Sequence, residues 1–166
     1  YNLSLTDNTQ GTIGVDFNEG FVAISQTNKH GHLIGIDKMT YRFGSGNKTK
    51  NDLLLIINKL TELALKTGKD IVVEDLNFLK KKSKAIKGES KKGKKYNKMI
   101  HSLAYRMFLD KTEQICNKRN VGLIKVSPAW TSWIAKNKFC DKMKLNVHTG
   151  AAFVIARRGM NIKDVE

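Results

Sequence analysis

Thr12-Ile13-Gly14-Val15-Asp16-Phe17 sets Ile13, Val15 and Phe17 against Gly14 and Asp16, the period of two that a half-buried strand requires. Asn18-Glu19-Gly20 reads as a turn, Phe21 to Thr27 as a second strand, Asn28 to Gly31 as another turn, and His32 to Thr40 as a third strand. Three short strands in series predict an antiparallel meander. Lys50 to Thr67 then carries Leu53, Ile56, Ile57, Leu60, Leu63 and Ala64 at helical spacing, with Gly68 as the stop. Ile71 to Leu76 follows as an almost wholly apolar strand, the pattern of one buried on both faces. A second helical period runs from Tyr96 to Arg119 through Ile100, Leu103, Ala104, Met107, Phe108 and Ile115. Val121 to Val126 reads as a fifth strand, 129–146 as irregular, and Val147 to Arg158 as a last helix with Val154 and Ile155 facing inward. The expected class is α/β: a five-stranded mixed sheet in the order β-β-β-α-β-α-β-α, helices on both faces, one domain over 1–166.

Asp16 stands in the middle of a hydrophobic strand, where a carboxylate costs several kcal/mol to bury unless something compensates it. Glu74 repeats the pattern, because Ile71-Val72-Val73 leads straight into Glu74-Asp75. Alternation puts Asp16 on the face of Gly14, opposite Ile13, Val15 and Phe17. The order meander, helix, strand can bring the first and fourth strands side by side. A divalent cation shared by the two acids is one compensation, since hard cations take oxygen ligands, often one or two carboxylates with substrate phosphate and water. A strand-end carboxylate bonded to a lysine or a loop amide is the other.

Lys and Arg number 30 against 15 acids, a formal charge of +15. Such a surface repels itself unless a polyanion shares it, which points to nucleic acid as partner. No stretch approaches the roughly 18 apolar residues of a spanning helix, and no signal-peptide pattern opens the chain, so no membrane association is expected. Cys116 and Cys140 lie far apart with no second Cys or His at zinc-ligand spacing, so two buried thiols in a reducing cytosol are expected, with neither disulfide nor zinc. A strand pattern close behind Tyr1 suggests a piece of a longer protein.

Taken in order, Gly14-Val15-Asp16, Val72-Val73-Glu74-Asp75-Leu76, a basic helix, Val126-Ser127-Pro128-Ala129-Trp130-Thr131-Ser132, and Ala151-Ala152 opening a helix that ends in Arg157-Arg158-Gly159 resemble the RuvC-like nuclease domain of TnpB and related OrfB-type insertion-sequence proteins. The resemblance runs from about Thr12 to Met160, and its specificity lies in the ordered combination of short motifs. It implies an RNase H-like fold and a trio of acids holding two Mg²⁺ ions (or Mn²⁺), with Asp16 and Glu74 matching the first two acids. It further implies a guide RNA in the intact protein, a bacterial-type cytoplasmic and nucleoid-associated location, and products with 5′ phosphate and 3′ hydroxyl ends. Two departures stand out. The third acid's place, three residues before the paired alanines, is taken by His148, a poorer ligand for Mg²⁺ than for Mn²⁺, with Asp141 the nearest upstream acid. The four-cysteine zinc ribbon common in that family is missing, which marks a divergent branch.

The basic run 80–95 is expected to be a mobile, phosphate-neutralising segment, through Lys80, Lys81, Lys82, Lys84, Lys87, Lys91, Lys92, Lys94 and Lys95. Arg106, Thr131, Ser132, Arg157 and Arg158 are further candidates for nucleic-acid contact, although cations also suit the end of a helix for its dipole. Trp130 and Trp133, interleaved with lysines, have the composition of a base-stacking surface; in a chain of this size the expectation for them is the core.

Three functions remain open on these residues. The first is a metal-dependent DNA endonuclease domain, monomeric as a fragment. The second is a nucleic-acid-binding module that keeps fold and charge with weakened or lost catalysis. The third is a dimeric junction resolvase of the same fold.

Overall fold

The structure is a computed structural model that describes residues 3–75 and 92–164, with side chains in the second stretch from residue 95 onward. Its strands are β1 (Asp7–Asn18), β2 (Phe21–Thr27), β3 (Leu33–Thr40), β4 (Lys69–Glu74) and β5 (Leu123–Val126). The long helices are α1 (Asn47–Thr67) and α2 (Lys92–Arg119); after β5 come a single turn α3 (Thr131–Ile134), a π-helical turn (Ala135–Cys140), a second short turn α4 (Asp141–Met143) and α5 (Val147–Gly159). Among the described residues no helix is long and apolar enough to cross a membrane.

The sheet is mixed and open, in the order β3-β2-β1-β4-β5. β1, β2 and β3 are antiparallel neighbours, whereas β1 pairs with β4 and β4 with β5 in parallel. The anticipated meander and the pairing of first and fourth strands are therefore both present. One face carries Ile13, Val15, Phe17, Ile71 and Val73 against Leu53, Ile57 and Leu60 of α1 and Ala104, Tyr105 and Phe108 of α2. Each such side chain removed from water contributes about 1.5–3 kcal/mol. The other face receives α5, and small residues decide how closely. A Cβ on Gly14 would lie 2.0 Å from the Ala152 carbonyl oxygen, and one on Gly159 would lie 2.3 Å from a Val72 methyl.

Hydroxyl and amide side chains then pin the helix backbone to the sheet. Ser25 Oγ donates to the Thr149 carbonyl (2.7 Å), Thr12 Oγ1 to the Ala156 carbonyl (2.6 Å) and Asn8 Nδ2 to the Gly159 carbonyl (3.1 Å). Asn146 caps the start of α5, its side-chain oxygen accepting from the backbone N–H groups of His148 and Thr149, the standard satisfaction of a helix's orphan donors.

Several expectations need correcting. β1 begins at Asp7, five residues before the alternation does, because Gly11 (φ 111°) and a register shift between Asp7 and Thr12 interrupt the pattern without ending the strand. β4 is displaced toward its start, from Lys69 rather than Ile71. α2 starts at Lys92, so the last part of the basic run 80–95 is helical; 80–91 lies outside the described residues. The irregular stretch 129–146 is mostly short helical turns. Cys116 is buried as expected, while Cys140 is only half-buried. Trp130 and Trp133 are not in the core at all: they are 68% and 40% exposed.

Candidate metal and nucleic-acid site

The parallel ladder between β1 and β4 pairs Ile13 with Ile71 and Gly14 with Val72. Two residues further along the same face come Asp16 and Glu74, at the carboxyl ends of adjacent parallel strands, where ligands of open α/β sheets bind. Both belong to the face covered by α5, since Gly14 meets Ala152 and Val72 meets Gly159. Anchored by its Asn146 cap, the head of α5 brings His148 Nδ1 to 3.4 Å from Asp16 Oδ2. Phe21 supports the imidazole from the other side, edge to face with ring centroids 5.0 Å apart.

Asp16 is 9% exposed. Burial raises its carboxyl above the ordinary value of 3.8, opposed by a hydrogen bond from Asn18 Nδ2 (2.9 Å) and by His148. Desolvation dominates, so the carboxylate is under-compensated by the protein around it. Glu74 Oε1 lies 3.3 Å from the Thr131 hydroxyl, which is equally close to the Pro128 carbonyl. Tyr105 of α2 donates from its hydroxyl to the Glu74 main-chain carbonyl (2.5 Å). Its phenol is pushed well above the usual range, first by burial and then by Glu74, Asp16 and Asp75 together. Three carboxyl groups thus lie within electrostatic reach of one phenol, in a chain of net charge +15.

The donor set suits a hard divalent cation. Asp16 and Glu74 offer the one or two carboxylates that Mg²⁺ takes from protein, the remaining positions going to water and phosphate oxygens, and a cation would relieve the desolvated charge on Asp16. His148 is beside them, already engaged with Asp16. Among the described residues no three His, Cys, Asp or Glu side chains close into a ligand group by themselves. Asp141 stands at the start of α4 and is exposed.

The basic candidates divide. Lys80, Lys81, Lys82, Lys84, Lys87 and Lys91 lie outside the described residues, and Lys92 and Lys94 fall in the first turn of α2 with side chains not described. Lys95 and Arg106 are exposed on α2. Ser132 is exposed, whereas Thr131 is buried and faces Glu74. Arg157 is turned inward, its guanidinium held by buried Asp164 at 2.8 and 3.1 Å and by the Gly31 carbonyl at 2.7 Å. Arg158 donates to the Ser127 carbonyl (2.6 Å). Burial lowers its pKa, while Glu74 and Asp164 act in the opposite direction, so this guanidinium lies in the field of the second acid.

Asn18, Phe21 and Tyr105 also belong to the site, and the sequence reading did not single them out. Asn18 was accessible, being two residues after Asp16 on the same strand face. Tyr105 was not, because which face of α2 meets the end of β4 is a tertiary fact. A scan against protein-family models finds no match to this chain, and a search of curated proteins finds no relative.

Proposed function

We propose that the chain is the metal-dependent DNA endonuclease domain of a TnpB-like protein, RNA-guided when intact, with a RuvC-type, RNase H-like fold. One observation carries this reading: Asp16 and Glu74 each lie two residues beyond the paired Gly14 and Val72 on adjacent parallel strands, on the face that α5 covers, with His148 at that helix's head 3.4 Å from Asp16. The mixed five-stranded sheet with antiparallel β1 to β3 and parallel β4 and β5 agrees with it.

Asp16 and Glu74 would hold the divalent cation, Mg²⁺ or Mn²⁺, or the pair of ions that the resemblance implies. Bound there, such ions polarise a phosphate and lower the pKa of a coordinated water. The chain's own residues do the rest. Thr131 and Tyr105 fix Glu74 through its carboxylate and its main-chain carbonyl, and Asn18 orients Asp16. His148, capped in place by Asn146, serves as third ligand or takes the proton of the water that attacks phosphorus as the bond to the 3′ oxygen breaks, leaving 5′ phosphate and 3′ hydroxyl ends. The lysine-rich run and the exposed cations of α2 neutralise backbone phosphates, so affinity falls steeply with salt.

The test is cleavage of end-labelled DNA in Mg²⁺ and in Mn²⁺. Cutting by the parent that disappears in Asp16→Asn and Glu74→Gln, with DNA binding retained, is the expected result. An Asp16→Asn variant that nicks as well as the parent ends the proposal. A second reading, a DNA-binding module of the same fold without cutting activity, is favoured by the histidine in the place of a third acid. Salt-dependent binding without cleavage in either metal, even after His148→Asp, decides for it.

A further inference from the structure

Two exposed indoles beside the acids call for an explanation that the core does not supply. Trp130 and Trp133 lie edge to face, ring centroids 6.2 Å apart and planes at 80°. They border a shallow depression of about 420 Å³ lined by residues 128–133. Trp130 holds a left-handed backbone (φ 65°, ψ 10°), which is uncommon for a bulky residue and costs of order 1 kcal/mol or more. That conformation is maintained because the loop is anchored at both ends. Arg158 donates to the Ser127 carbonyl at 2.6 Å, and the Thr131 hydroxyl lies 3.3 Å from Glu74 Oε1. The Ile134 backbone N–H closes onto the Trp130 carbonyl at 2.8 Å. The loop is a built platform that keeps two aromatic faces in solvent, one residue away from the contact with an acid of the proposed metal site.

We propose that Trp130 and Trp133 form a stacking site for an unpaired nucleobase of single-stranded DNA. The inference rests on the nuclease reading and deepens it, by placing a base-binding surface next to the acids. Three features select this occupant. A flat aromatic face is matched by a base, and stacking of this kind is tolerant of sequence. Lys136, three residues beyond Trp133, is exposed and the chain's net charge is +15, which suits a polyanion rather than a basic or purely apolar partner. Bases within a duplex already stack on each other and do not present a free face.

The chain contains two tryptophans, and both are in this platform, so intrinsic indole emission reports on it alone. Titrating the whole chain with oligo(dT), without divalent metal, is expected to quench that emission strongly. An abasic oligonucleotide of equal length and charge should bind with the same salt dependence and leave the emission nearly unchanged. Trp130→Ala should weaken oligo(dT) binding about tenfold, the loss typical of one stacked base, and leave abasic binding as it was. Binding of oligo(dT) without quenching, or equal quenching by both oligonucleotides, overturns the stacking site while the nuclease reading stands. No binding of any DNA overturns both. Emission that changes with protein concentration in the absence of DNA assigns the pair to a second copy of the chain, and the proposal fails.

Discussion

Replacing Gly14 by alanine tests the junction on which the site depends. The added Cβ would lie 2.0 Å from the Ala152 carbonyl oxygen, 2.6 Å from the Ala156 nitrogen and 2.8 Å from the Ala156 Cβ. Two of these atoms are helix backbone, so no side chain can swing aside. β1 and α5 must instead separate by about 1 Å or more in a close-packed interior. Overpacking of this kind typically costs about 1–3 kcal/mol, and a backbone clash belongs at the upper end. For a chain of this size about 3 kcal/mol lowers Tm by roughly 6–12 °C. The same displacement carries the head of α5 away from Asp16 and opens the 3.4 Å contact with His148, so cleavage should fall more than stability alone explains when assayed well below Tm. Gly46→Ala is the control, since nothing lies within 4 Å of its added Cβ; at this helix N-cap it should cost about 1 kcal/mol at most. Thermal unfolding followed by circular dichroism reads both. A Gly14→Ala protein that melts within about 2 °C of the parent would refute the close approach of α5 to β1, and with it the placement of His148.

Asp16→Asn should abolish cutting and stabilise the fold at neutral pH, because burial raises this carboxyl above its ordinary 3.8. The sign follows from proton linkage: a carboxyl that binds its proton more tightly when folded adds stability as pH falls through the raised folded value, and loses that contribution above it. Urea midpoints of parent and variant should therefore differ most at neutral pH and converge in acid; a parent that gains nothing relative to the variant on acidification contradicts this. Asn146→Ala removes the cap of α5 and should cost about 1 kcal/mol along with most of the cleavage rate. Asn146→Asp keeps a capping oxygen and should recover both, as chemical denaturation and a cleavage time course would reveal. Thr12→Val deletes the donor to the Ala156 carbonyl and leaves the Thr27 hydroxyl, which accepts from the Thr12 N–H at 2.9 Å, beside a methyl; a loss of about 1–2 kcal/mol is expected, and an unchanged unfolding midpoint would count against that bond.

Much of this arrangement was legible in the residues themselves. The alternation through Phe17 assigned Gly14 and Asp16 to one face, and the apolar run before Glu74 marked a strand buried on both sides, as Ile71, Val72 and Val73 are. These are local patterns, and local patterns survive folding when a single period governs them. What escaped was set by contacts between distant segments. The early start of β1 depends on a bulge near Gly11, and Tyr105 rather than Arg106 meets β4 because of how α2 lies on the sheet. The tryptophans misled for a different reason: their composition favours burial, while a left-handed residue at Trp130 and a loop tied to Arg158 and Glu74 hold them outward. Arg157 was one candidate for phosphate contact, and its ion pair with Asp164, seven residues later, is a pairing that no local pattern announced.

The most direct measurement is a crystal of the chain soaked in Mn²⁺, with anomalous scattering locating the ion. The account places the peak between the carboxylates of Asp16 and Glu74, with His148 adjacent, and requires it to vanish in Asp16→Asn. Manganese bound elsewhere with those two carboxylates making no contact to it, or a peak unchanged in the variant, would contradict it.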